Sequence, residues 1–120
     1  VCHYAEKSYK PHHVCVACRV SFKLYAAPGG RPCPRCSVPM VRAGRDFAAP
    51  RRRDAKAWSV VAAVLAAGLD YEGFEPCGCG RKPAYRPRTR AQLRARRAVA
   101  ARTGAPLAEV LARVDPLTPA

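Results

Sequence analysis

With 120 residues and a formal net charge of +14, the chain is too short for an elaborate enzyme core and too basic for an ordinary globular protein. A pI near 10.2, with arginine well ahead of lysine, points to a polyanionic partner, nucleic acid before a membrane surface. A GC-rich coding sequence would explain arginine in place of lysine, but not the shortage of acidic residues.

Residues 1–12 are polar and aromatic, with Cys2, His3, Tyr4, Tyr9 and His12, and show no periodicity, so they are expected to form an N-terminal arm. The start, Val1-Cys2-His3-Tyr4, does not have the basic-then-apolar pattern of a signal peptide. The longest apolar run, Ala57 to Leu69, is too short to span a bilayer. Seven cysteines in such a chain suggest metal ligation in a reducing compartment. The expectation is therefore a cytoplasmic protein without a membrane partner.

Residues 13–47 hold two C-x-x-C pairs, Cys15-Val16-Ala17-Cys18 and Cys33-Pro34-Arg35-Cys36. Two residues between thiolates let one tight turn present both sulfurs to one metal, and four thiolates suit a tetrahedral Zn²⁺. Between the pairs, Val20, Phe22 and Leu24 alternate with Ser21, Lys23 and Tyr25, the period of a half-buried strand. Ala27-Pro28-Gly29-Gly30 supplies turn chemistry, and Ser37 to Val41 reads as the returning strand, with Pro39 marking an edge. Two disulfides or unligated core thiols are the alternatives, and both fit the doubled spacing poorly. His12 or His13 could replace a cysteine ligand, although surface or phosphate contact suits them better. A closed four-cysteine site leaves no open position for water, so the ion would hold the fold and do no chemistry.

Residues 48–53 read as a linker carrying the basic run Arg51, Arg52 and Arg53, a candidate phosphate contact. Residues 54–80 begin with the clearest helix, capped by Asp54 and stopped at Gly68. Trp58, Val61 and Leu65 recur at helical spacing and are expected to pack on one face of the ribbon. Cys77 and Cys79 then lie in a glycine-rich turn. With Cys2 and His3 they could complete a second metal site, or they could be reduced thiols beside a turn. Adjacent Arg81 and Lys82 could lower a thiol pKa, but nothing nearby marks a nucleophile.

Residues 81–120 form an arginine-rich helical extension without an acidic residue from Arg81 to Arg102. Thr89 and Gln92 form a capping box and Gly104 follows the last turn, which places a second helix over 89–103. A short third helix starts at Pro106 with Leu107, Val110, Leu111 and Val114, and Asp115-Pro116 ends it. The candidate nucleic-acid contacts are Arg51, Arg52, Arg53, Arg81, Lys82, Tyr85, Arg86, Arg88, Arg90, Arg94, Arg96 and Arg97, with Tyr85 offered for base stacking.

The expected fold class is small α+β: a zinc ribbon, meaning a β-hairpin with a four-cysteine Zn²⁺ site, then two to three helices and a basic C-terminal extension. The four cysteines over 13–47 resemble the zinc-ribbon class of ribosomal proteins, transcription factors and RNA-processing subunits. The wider order also resembles short basic zinc-ribbon proteins of GC-rich bacteria, a group without an established activity. That order is a doubled C-x-x-C, Ala49-Pro50-Arg51-Arg52-Arg53-Asp54 with Trp58, and Tyr85-Arg86-Pro87-Arg88-Thr89 after Cys77-Gly78. Some members carry an enzyme name from isoprenoid biosynthesis, which a chain this short without a cofactor-binding motif does not support. The leading expectation is an RNA-binding protein on the ribosome, with rRNA phosphates neutralising the arginines and room for a protein partner. The alternative is a regulator associated with DNA or RNA polymerase, for which Gln92, at a helix start, would be the only Asn or Gln available to read a base. Paired carboxylates, a Ser-His-Asp set and a phosphate-binding glycine loop are all missing, so neither catalysis nor a small-molecule substrate is expected.

Overall fold

The computed structural model describes residues 10–25, 27, 30–72 and 85–118. Strands β1 (His12–Cys15), β2 (Val20–Lys23) and β3 (Val41–Gly44) precede helices α1 (Ala55–Ala66), α2 (Arg90–Thr103) and α3 (Leu107–Leu111). The protein is thus a small α+β chain with a three-stranded antiparallel sheet and three helices among the described residues. It divides into two compact units, Val1–Ala49 with Asp70–Ala84, and Pro50–Leu69 with Tyr85–Ala120. The chain crosses between units at residues 49–50, 69–70 and 84–85. Of the boundaries expected at 53–54 and 80–81, the second lies outside the described residues.

In the first unit the strand order is β2-β1-β3. Cys15 pairs with Val20, so the first C-x-x-C is the turn of the β1–β2 hairpin and does not lie ahead of it. The ribbon therefore starts at least one residue before 13, with His12 opposite Lys23 and the Leu24 N–H donating to the Pro11 carbonyl. The returning strand also lies later than expected. Only a bridge between Pro32 and Pro39 forms around the second pair, and the ladder to β1 is made by Val41 to Gly44. The physical reason is local: Pro39 has no N–H to donate, and the 37–39 stretch is used to close the second cysteine turn.

Val14, Ala43 and Phe47 are buried in this unit, and Phe47 meets the rings of His12 and Tyr71 edge-on at 5.9 and 5.1 Å. The 70–72 segment lies along the end of β3, with the Tyr71 N–H donating to the Ala43 carbonyl and the Asp46 N–H to that of Tyr71. Gly44 permits this approach. Its φ is +102°, and a Cβ there would sit 2.9 Å from the Tyr71 carbonyl group.

Ion pairs reinforce the same seam. Glu72 accepts from Arg42 and from Arg45 at 2.9 Å, and Arg42 also reaches Asp70 at 3.3 Å. Burial pushes the Glu72 carboxyl up, but the Arg45 and Arg42 guanidinium groups outweigh it and hold it below the ordinary glutamate value of 4.5. A depressed carboxylate contributes its full stability above the ordinary value and loses it as pH falls on through its own, lower pKa. Glu72→Gln should therefore lower the thermal midpoint near neutrality by the equivalent of about 1 kcal/mol or less. The gap between parent and variant should close as the pH is lowered below the ordinary glutamate value and through the depressed one. Melting curves at several pH values check this; a gap that persists in acid would exclude the ion pairs as its source.

In the second unit each helix carries the caps its sequence promises. The Asp54 carboxylate accepts from the Ala57 N–H at 3.0 Å, and Gly68 turns left-handed after α1. Thr89 and Gln92 complete the capping box of α2, which Gly104 closes in the left-handed conformation. Pro106 caps α3. The Trp58 stripe, expected to lie on the ribbon, falls in this helical unit, where α1 packs against α2 and α2 against α3. Trp58 is buried, and its indole N–H donates to the Arg51 carbonyl at 3.1 Å. Val110 and Leu111 are fully buried, but Val114 lies beyond the end of α3 and is 76% exposed.

Candidate metal centre and basic surface

The four cysteine sulfurs of Cys15, Cys18, Cys33 and Cys36 all lie within 4.8 Å of one another, and none is in a disulfide. Two hairpin turns bring them together. The first turn is Val16 to Arg19, closed by the Arg19 N–H on the Val16 carbonyl; the second is closed by the Ser37 N–H on the Cys33 carbonyl at 2.8 Å. Arg19 and Ser37 each follow the second cysteine of a pair and have φ of 55° and 66°. Neither is glycine, so each turn holds a backbone conformation that costs about 1–2 kcal/mol. Such strain persists only where something else fixes the turn. A metal gripping both ends of each C-x-x-C would do so.

Distances fit that role. Tetrahedral zinc with Zn–S bonds of about 2.3 Å needs sulfurs about 3.8 Å apart, and Cys15 and Cys36 are separated by 3.6 Å. Cys15 and Cys33 are buried with Met40, and Cys18, Val20, Phe22 and Leu24 pack against them. The alternation seen in β2 thus supplies the apolar wall of the centre. The Arg35 N–H donates to the Cys33 sulfur at 3.4 Å, the kind of outer contact that steadies a thiolate ligand. Burial pushes the Cys15 thiol up; the Cys36 thiol, and then burial, push Cys18 up to about 12. Burial acts on Cys33 as well, but the backbone N–H groups of Arg35 and Cys36 outweigh it and bring that thiol down to about 7. Four sulfurs this close must share either protons or a cation, and one divalent ion satisfies all four.

Among the described residues this is the one group of three or more side chains that could hold a metal. His12 and His13 are not in it. Both lie in β1: His12 bonds the Ser21 hydroxyl through Nδ1 at 3.1 Å, and His13 is buried, which also removes it from the surface role expected of it. Burial pushes both imidazoles down. The second ligand set, Cys2, His3, Cys77 and Cys79, lies outside the described residues, as do Arg81 and Lys82.

The remaining nucleic-acid candidates divide into two kinds. Arg51, Arg52, Arg53, Arg88, Arg90, Arg94 and Arg97 are exposed, and Arg86 is half-buried with Nη1 donating to the Tyr85 carbonyl. Arg96 and Tyr85 are turned inward instead. Arg96 is 4% exposed, and its guanidinium donates to the carbonyls of Arg113, Gln92 and Val114 at 3.0, 2.9 and 2.6 Å. It also covers the Tyr85 ring at 4.4 Å, and the Tyr85 hydroxyl is buried without a partner among the described residues. One arginine among several on a helix is thus a structural clasp, and the ring offered for stacking lies beneath it.

None of the described helices is long and apolar enough to cross a membrane. Comparison with known proteins finds no matching family model, no matching curated sequence and no matching solved structure.

Proposed function

We propose that the protein is a zinc-ribbon RNA-binding protein, associated with the ribosome, that contacts rRNA phosphates through arginine-rich surfaces. In this reading the four-cysteine centre holds one structural Zn²⁺, no reaction is catalysed, and the protein acts in the cytoplasm. The observation that carries it is the placement of charge. The helical unit holds twelve of the 22 lysines and arginines but only three of the eight acids. In the sheet unit, by contrast, Arg42 and Arg45 are paired with Asp70 and Glu72. A small domain that leaves so much cationic surface unbalanced is suited to a ligand carrying phosphates. For the DNA- or polymerase-associated alternative, the Gln92 side chain accepts from the Arg88 and Thr89 N–H groups and is occupied in capping, so an arginine would have to do any base reading.

The test is sedimentation of a tagged protein in a native lysate, with the purified, zinc-loaded protein titrated onto RNA in parallel. Co-migration with ribosomal particles at low salt is expected, with affinity falling by orders of magnitude between about 50 and 200 mM salt if six or more phosphates are neutralised. Light fractions in the gradient together with no RNA binding at low salt would overturn the reading.

A further inference from the structure

We infer that the outer face of α2 docks on the phosphate backbone of double-stranded RNA without reading its sequence. The inference rests on the RNA-binding reading above and assigns it a surface and a form of RNA. Arg90, Arg94 and Arg97 are spaced i, i+4 and i+7. That spacing puts three guanidinium groups on one side of the helix over about 10 Å of its length. Leu93, Arg96 and Val99 are its buried residues, while the three arginines are exposed and make no ion pair or side-chain hydrogen bond among the described residues.

Holding them there is unfavourable in the free protein. Like charges at i, i+3 and i, i+4 each cost a few tenths of a kcal/mol. Arg90 also sits in the first turn, which carries no acidic residue to balance the positive end of the helix. Such a stripe is destabilising until an array of anions lies against it.

What the face does not present identifies the form of that array. Binding to single strands without sequence preference uses exposed aromatic rings on which unpaired bases stack. The helical unit has two aromatic residues, Trp58 and Tyr85; the first is buried, and the second is half-buried with its hydroxyl inward and one ring face under Arg96. In the wide major groove of DNA, base edges are read by Asn, Gln and, most often, Arg. The major groove of an A-form RNA helix is too deep and narrow for side chains to read, and Gln92 is held in the capping box. Arginine and alanine dominate what is left on the outer face, and on an A-form duplex those arginines can reach phosphates but not the base edges of the major groove. Backbone and shape are what a protein can read on an A-form duplex.

The test uses the full, zinc-loaded chain and its Arg90→Gln, Arg94→Gln, Arg97→Gln triple variant. The probes are two RNA duplexes of about 20 base pairs with unrelated sequences, a DNA duplex and a non-pairing RNA strand of the same length. The parent should bind both RNA duplexes within about twofold of each other and more tightly than the other two probes. The variant should bind them at least about tenfold more weakly, and its dependence of log K on log salt should flatten by about 2 to 3. Its zinc content should be unchanged and its thermal midpoint equal to or above the parent's, since repulsion has been removed. A charge-matched control, Lys10→Gln, Lys23→Gln, Arg35→Gln, should flatten the slope by less. An unchanged slope in the α2 variant, an equal drop in the control, or tighter binding of the single strand or of DNA would each overturn the inference. Failure of the parent to bind any RNA would instead remove the reading on which it rests.

Discussion

Replacing Cys15, Cys18 or Cys33 with serine should cost the proposed zinc centre its ion and melt the sheet unit, and replacing Cys36 should weaken both. Among its described residues that unit has three strands of four residues each and a small buried set around Val14, Ala43 and Phe47. So little apolar surface cannot offset the ordering of two hairpins and their turns. Arg19 and Ser37 add backbone strain to the deficit. A structural zinc site contributes about 10–16 kcal/mol of apparent binding free energy, all of it coupled to folding. The losses should be graded by burial. Cys15→Ser and Cys33→Ser place a hydroxyl in the apolar wall made by Met40, Val20 and Phe22, and should abolish folding of the unit. Cys36 is exposed, so Cys36→Ser should retain weak, chelator-sensitive binding. Elemental analysis of protein purified without chelators should give one zinc for the four-cysteine centre; a value near two would report a further site built with Cys2, His3, Cys77 and Cys79. Protein that contains no zinc yet melts cooperatively, with its four thiols protected, would refute the metal's role.

The four-cysteine cluster was the most legible part of the sequence, because the spacing of a C-x-x-C is itself the geometry of a turn. Helix ends were legible for the same reason: Asp54, Thr89 with Gln92, and Gly104 act within four residues of their own positions. The strands were read less well. Val20, Phe22 and Leu24 alternate as a strand should, but β1 is only His-His-Val-Cys, with no alternation to signal it. The partner of β3 is likewise decided across the sheet and not locally. The strain at Arg19 and Ser37 had no signal either, since glycine, the usual mark of a left-handed turn, is absent from both. Charge was the least legible property. Composition counts arginines but cannot say which ones a fold takes inward, and in α2 the residues on either side of Arg96 point elsewhere.

Arg96 accordingly carries the second large effect expected. Arg96→Met keeps the length and apolar stem of the side chain but removes its donors. The carbonyls of Arg113 and Val114, which lie just past the end of α3, lose the group that draws them onto α2. Hydrogen bonds to a charged donor each contribute about 1.5–3 kcal/mol, and those left buried without a partner cost more than those returned to water. Arg113 is itself buried, with its Nε unpaired among the described residues and its Nη groups on Glu109 and Pro116, so its neighbourhood has little spare capacity to compensate. The Tyr85 ring loses its cover as well, which removes a cation–π contact of about 1 kcal/mol. The variant should be destabilised by about 3–4 kcal/mol, read as a fall in the midpoint of the helical transition by far-UV circular dichroism. Arg96→Lys should recover only a small part of this, because one ammonium cannot serve three diverging carbonyls and cover a ring together. Arg94→Gln, two residues away on the exposed side, should leave the midpoint unchanged or raise it. Equal melting of the Arg96→Met and Arg94→Gln variants would mean that the clasp contributes nothing, and that α3 is held on α2 by Val110 and Leu111 alone.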